Sequence, residues 1–256
     1  MRTIFNFSKF LAVLISIFLA TACNKTPQTQ TVNVYFADDL TQIKSTYQVL
    51  KKDTTVKHGL YTSYHKTGAQ KMIVNYVKGK KEGVGQIYSE AGRLRETAEF
   101  KNDELNGVRN LYNDSTRQLI IVEHYKNNNF DGEYIAYYPT GKLKQKGQYI
   151  NNKMSGLWNY YYPNGDLKET VYFKNNVEDG PYKAFHQNGQ LKAEGQYENE
   201  NRQGAWKVYH PNGVLEEAAN YIDDWEEGLI EVFDSTGKKI KAITYKNGRV
   251  QNLEKF

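Results

Sequence analysis

The sequence predicts an all-β fold, a repeat architecture of about eight stacked β-hairpins that form one long twisted antiparallel meander sheet. Three observations predict it. Glycine recurs as Gly59, Gly83, Gly107, Gly132, Gly156, Gly180, Gly204 and Gly228, at intervals of 24 residues with a single 25. Aromatic columns keep the same period, one at five residues after each glycine (Tyr64 through Phe233) and another seventeen after (Tyr76 through Tyr245). Two turn columns divide every unit into runs too short for a helix with its connections and well suited to strands.

From the N-terminus, Arg2 and Lys9 precede an uncharged apolar run from Phe10 to Ala22 that stops at Cys23. This is the pattern of an export signal over residues 1–22, and its apolar run, Phe10 to Ala22, is too short to span a bilayer. Ala20-Thr21-Ala22 fits an ordinary signal-peptidase cut. The lone cysteine directly after it resembles the lipidation site of a bacterial lipoprotein signal. We expect the second, with Cys23 lipidated, because a secreted chain gains nothing from starting with an unpaired thiol. Residues 23–31, polar from Asn24 to Thr31, then read as the lipidated cysteine and a flexible tether.

Residues 32–58 read as a degenerate capping repeat. Tyr35 and Tyr47 keep the interval between Tyr161 and Phe173, and Asp39 takes the place of the turn glycine. Eight full units follow over 59–251. Their first turn is an X-Gly step such as Asn164-Gly165, and their second a step such as Asn151-Asn152 or Asp223-Asp224. The leading glycine falls inside the longer strand, where a bulge would absorb two surplus residues. Trp158 and Tyr160 share one face while Tyr161 is out of phase with them, so a second face should carry tyrosine. The third unit has Thr116 in the turn-glycine place. Residues 252–256 are expected to cap the array, with Leu253 and Phe256 folding back over the last strand.

The cleanest unit, Gly156-Leu157-Trp158-Asn159-Tyr160-Tyr161-Tyr162-Pro163-Asn164-Gly165-Asp166-Leu167-Lys168, resembles the bacterial variant of the MORN repeat. The resemblance covers about 59–251 and more loosely 32–58. It implies stacked β-hairpins used as a binding or scaffolding module, and it points to the YwqK-type antitoxin and immunity proteins. The third unit departs from the pattern at Arg109, where other units place Tyr134, Trp158, Tyr182 and Trp206.

No chemistry stands out. One cysteine excludes a thiolate cluster, and equivalent histidines one hairpin apart, His186 and His210, are separated by about 9.6 Å, too far to share a metal. Glu216 and Glu217 are adjacent along a strand and point to opposite faces. We therefore expect no enzyme, no cofactor and no metal site. The net charge of +5 is too modest for nucleic acid. Between Ala193 and Thr236, however, eleven acids stand against only Arg202 and Lys207. The expected partner surface is the row Tyr138, Tyr162, His186 and His210 together with Glu216, Glu217, Asp223, Asp224, Glu226 and Glu227. The expected function is a protein-interaction scaffold in the cell envelope, on the outer membrane, held to the membrane by its N-terminal lipid only. Its expected partner is a basic protein, a toxin if the family habit holds. The alternatives are a glycan bound along the aromatic rows and a structural envelope spacer.

Overall fold

A computed structural model describes residues 27–256. The expected signal segment 1–22 and Cys23 lie outside the described residues. Twenty strands follow one another. The N-terminal ones are β1 (Thr29–Phe36), β2 (Asp39–Leu50), β3 (Asp53–Tyr64), β4 (Gln70–Val77), β5 (Lys80–Tyr88), β6 (Leu94–Lys101), β7 (Glu104–Tyr112) and β8 (Leu119–Lys126). The central ones are β9 (Asn129–Tyr137), β10 (Leu143–Ile150), β11 (Lys153–Tyr161), β12 (Leu167–Lys174), β13 (Val177–Phe185) and β14 (Leu191–Glu198). The last are β15 (Asn201–Tyr209), β16 (Leu215–Ile222), β17 (Trp225–Glu226), β18 (Gly228–Phe233), β19 (Lys239–Lys246) and β20 (Arg249–Lys255). Each pairs antiparallel with its neighbour in the chain, and β17 and β18 are one rung broken at Glu227. The result is a single open meander sheet, as the repeat predicts.

The bulge takes the form its residue count demands. Lys146 lies opposite Asn159, but Gln148 lies opposite Ser155, so two steps along β10 face four along β11. Gly156 sits within the surplus at φ +70°, a conformation an L side chain resists. The same double surplus recurs between β12 and β13 and between β14 and β15.

The two turns solve different problems. Both residues of the second turn have positive φ, Asn151 at 48° and Asn152 at 66°, which is the two-residue type I′ hairpin. In the first turn only the glycine does. The Gly165 amide donates to Tyr162 O and the Tyr162 amide to Asp166 O, both at 2.8 Å, closing a type I turn followed by a glycine bulge. Asn164 thus takes an ordinary φ and instead accepts the Asp166 amide at 3.0 Å.

Five local expectations need correction. Strand β1 begins at Thr29, so the expected tether ends sooner, because Val32 and Val34 pair with Tyr47 and Ser45 on β2. Asp39 opens β2 and the preceding loop is Ala37-Asp38, since Phe36 already pairs with Asp39. The boundary at 59 falls inside β3, because the rung starts just after the preceding two-residue turn. In the third unit the extra residue moves the left-handed position from Thr116 to Arg117, at φ +61°. Residues 252–256 do not fold back. Residues 252–255 belong to β20, with Leu253 opposite Ile243, and Phe256 donates its amide to Ile240 O at 3.2 Å, because pairing with β19 satisfies the inward-pointing amides.

One face of the sheet is apolar. Trp158, Val171, Tyr182 and Gly195 form one row across β11 to β14, and Trp206 with Ala219 continues it. Beside it runs the row Tyr149, Phe173, Tyr197 and Tyr221, with ring centroids 5.1 to 6.4 Å from the two indoles. Trp158 is 1% exposed, and its indole N–H donates to Gln148 O at 3.3 Å. A Cβ on Gly147 would stand 2.1 Å from that indole, and one on Gly195 2.2 Å from Trp206, so each tryptophan lies flat on a glycine of the neighbouring strand. On the opposite face stands the column expected to carry tyrosine. There the Tyr209 hydroxyl donates to Glu194 at 2.9 Å.

Candidate interaction surface

The rim built by the first turns holds Tyr138, Tyr162, His186 and His210. Each is half-buried and reaches the carbonyl of the following hairpin. Tyr138 donates to Tyr161 O and Tyr162 to Phe185 O, both at 2.8 Å. The ring N–H of His186 donates to Tyr209 O at 2.8 Å and that of His210 to Phe233 O at 3.0 Å. His65 repeats the contact on Tyr88 O at 2.9 Å. Tyrosine and histidine interchange here because each offers one donor at the same reach. These side chains stitch loop to loop, and only their outer edges remain for a partner.

The six acids of the expected surface separate into two environments. Glu217 lies on the apolar face opposite Val208 and Val232, where burial raises its carboxyl above the usual range and Glu216 and Glu226 add to the effect. Glu226 is on that face too, opposite Tyr221. Glu216 approaches His210 Nδ1 at 3.6 Å. Asp224 accepts the Arg202 amide at 2.9 Å and its guanidinium at 3.0 Å, which holds its carboxyl low. That guanidinium stacks 3.8 Å above the Tyr221 ring. Glu227 accepts the Asn247 amide at 2.7 Å and so braces the last turn. Asp223 points outward and is exposed.

Between Asp223 and Glu227 stands a residue the aromatic columns do not contain. Trp225 is 63% exposed, its ring lies against Gly248, and with the exposed Ile222 it lines an open cleft of about 390 Å³ whose other walls are Asp223, Glu227 and Asn247. The equivalent place after the second turn is Lys80, Glu104, Asn129, Lys153, Val177, Asn201 and Arg249 elsewhere. A tryptophan out of column was the available signal. The aromatic columns do not point to it, because Trp225 belongs to none.

On the apolar face, burial lifts the hydroxyls of Tyr160 and Tyr182 to about 12, with Glu169 next in effect on both. Neither ring is poised to exchange a proton near neutrality. Among the described residues no group of three or more His, Cys, Asp or Glu is placed to hold a metal ion.

Fold and surface together define an open hairpin-repeat protein, with side chains laid out in rows along a sheet. Four tandem segments, residues 130–151, 154–175, 178–199 and 202–223, match the family described as the MORN repeat variant. They cover about a third of the chain, and each runs from one second turn to the next. These four segments are similar to the MORN repeat variant, and the open row of hairpins is consistent with an interaction scaffold. No curated protein matches the chain. Among solved structures, a mutant of S. aureus TarM, in complex with fondaparinux, α-GlcNAc-glycerol and UDP, is 13% identical with a TM-score of 0.27 over 38% of this chain. The TcdB2-TccC3-Cdc42 structure is 11% identical with a TM-score of 0.18 over 85% of it. The matches span only 19% and 17% of those chains.

Proposed function

We propose that the chain is a non-catalytic scaffold of the cell envelope, anchored at Cys23, that grips a basic protein partner through the acidic end of its sheet. The observation that carries this reading is the Trp225 cleft. An exposed indole and Ile222 supply a rigid apolar anchor, and Asp223 and Glu227 beside it supply charge complementary to lysine or arginine. Acids distributed from Glu194 to Asp234 extend the attraction beyond the cleft and speed the encounter. Exported and tethered, such a surface faces proteins arriving from outside. In the antitoxin form of the reading the partner is a toxin, neutralised because the scaffold covers it.

The test is capture of basic envelope or secreted proteins on the immobilised chain. Capture should fall steeply between low and physiological salt, and Trp225→Ala should weaken it by about tenfold to a hundredfold, the cost of an aromatic hot spot. Asp223→Lys should weaken capture at low salt and make its salt dependence shallower. Salt-independent shifts of Trp225 fluorescence with soluble envelope glycans, and no captured protein, would replace this reading with the glycan alternative.

A further inference from the structure

The last rung, β20, is exposed along all seven residues, and among the described residues nothing pairs with its outer edge. Open edges are usually blunted by prolines, charge or bulges, because their amides and carbonyls seek a partner strand. Strand β20 carries one surplus residue at Gln251, since Thr244 lies opposite Asn252 and Tyr245 opposite Val250; that surplus brings Val250 and Leu253 into the same phase, an order that suits a copy of itself.

The direction of its amides follows from its pairing. The Phe256 amide donates inward to Ile240 O at 3.2 Å, and Glu254 lies opposite Ala242. By the alternation of an antiparallel ladder, Glu254 also points its amide and carbonyl inward and Leu253 points them outward. At the other end Arg249 closes the two-residue turn opposite Lys246, so its backbone points inward and that of Val250 outward. The side chains sort equally clearly. Val250 and Leu253 are opposite Tyr245 and Ile243 and stand on the apolar face, while Arg249 and Glu254 stand on the other. Val250 is 56% exposed and Leu253 49%.

We propose that two copies of this chain join edge to edge through β20, related by a two-fold axis normal to the sheet. In this arrangement Val250 lies opposite the partner's Leu253, both with outward backbone groups, so these two make a hydrogen-bonded pair. Arg249 then lies opposite the partner's Glu254 at the closely spaced, non-hydrogen-bonded position where cross-strand charges interact best. Gln251 and Asn252 meet at the axis. The two-fold repeats each contact, so the pairing is self-complementary in charge, in apolar contact and in backbone donors at once. It also carries the apolar face unbroken from one copy to the next, past Ile230, Ile243 and Leu253.

Analytical ultracentrifugation of the purified protein over a concentration series tests this. The natural chain should show reversible monomer–dimer exchange. Arg249→Glu and Glu254→Arg should each weaken the dimer by about tenfold or more, because each variant faces two like-charge pairs. Mixing the two single variants should restore dimers, as heterodimers, since every pair is then of opposite charge. That restoration also shows that both variants are folded. A monomer at every concentration, a dimer indifferent to both reversals, or a mixture that stays monomeric would each overturn the proposal.

Discussion

Arg109 occupies the place where the four following hairpins put Tyr134, Trp158, Tyr182 and Trp206, and the environment explains how a cation is tolerated there. Its Nε and Nη2 engage both oxygens of Glu96 at 2.9 and 3.1 Å, and its Nη1 reaches Glu123 at 3.1 Å. The Tyr125 hydroxyl donates to the same Glu123 oxygen at 3.1 Å. Glu123 is 7% exposed, so its charge depends on these two partners. The Glu96 hydrogen bonds drive the guanidinium pKa well above its ordinary value against the opposing effect of burial. A buried network is costly to break from one side and cheap to replace entirely by apolar groups. Arg109→Met should therefore destabilise the fold by about 2–4 kcal/mol, because Glu123 is left with a single hydroxyl partner. The double variant Arg109→Met/Glu123→Leu should regain most of that loss, since it extends the aromatic row with apolar side chains of similar size. Urea unfolding of the three proteins measures both. A double variant no more stable than the single would show that the triad is worth more than a packed apolar row at this place.

The hairpin is the element, and its two ends are fastened to neighbours by different chemistry. At the second-turn rim, the last turn residue accepts an amide from the preceding hairpin. Phe130 donates to Asn152 Oδ1 at 2.7 Å, and Met154 to Asn176 Oδ1 at 2.6 Å. The turn amide returns the bond, Asn152 N to Phe130 O at 2.8 Å. Asparagine and aspartate thus serve twice, tolerating positive φ and supplying the acceptor. Asn152→Gly should cost about 1 kcal/mol, through loss of the Phe130 hydrogen bond and of the exposed one that its Nδ2 donates to Asn129 Oδ1 at 2.6 Å. Asn152→Ala should cost about 2 kcal/mol, adding the left-handed strain at φ +66°. Equal costs in urea unfolding would show that the side-chain acceptor contributes all of it. This rim was legible in the sequence because its requirement is local: each turn residue declares its own φ. The double-surplus bulge at Gly156 was legible for the same reason, being a matter of residue count. Less local features were not. Gly147 and Gly195 lie 48 residues apart and each lies beneath a tryptophan, Trp158 and Trp206, so the central units alternate in pairs within the 24-residue repeat. Seeing that requires the strand register, which sets Trp158 against the neighbouring β10. The stitching role of Tyr138 and His186 was hidden likewise, because the carbonyl each meets is 23 residues away.

In an open meander every rung touches only the rungs beside it, so stability is a chain of neighbour terms and need not be shared by the whole molecule. The terms differ along the sheet. From β9 to β16 the indoles of Trp158 and Trp206 lock with Tyr134, Tyr149, Phe173, Tyr182, Tyr197 and Tyr221. The corresponding row over β4 to β6 is Val74, Gly85 and Ala98, with less apolar surface to bury. Amide exchange should therefore be slowest in the central rungs and faster across β4 to β6. Removing one indole tests whether the terms are local. Trp158→Ala should remove about 3–5 kcal/mol, and that loss should appear as faster exchange in β10 to β13. Exchange in β1 to β4, seven or more strands from β11, should change by less than about threefold if openings there remain independent of the centre. A uniform acceleration across all rungs would mean that the sheet unfolds as one cooperative body, which a nearest-neighbour array permits only when every interface is stronger than the rungs it joins.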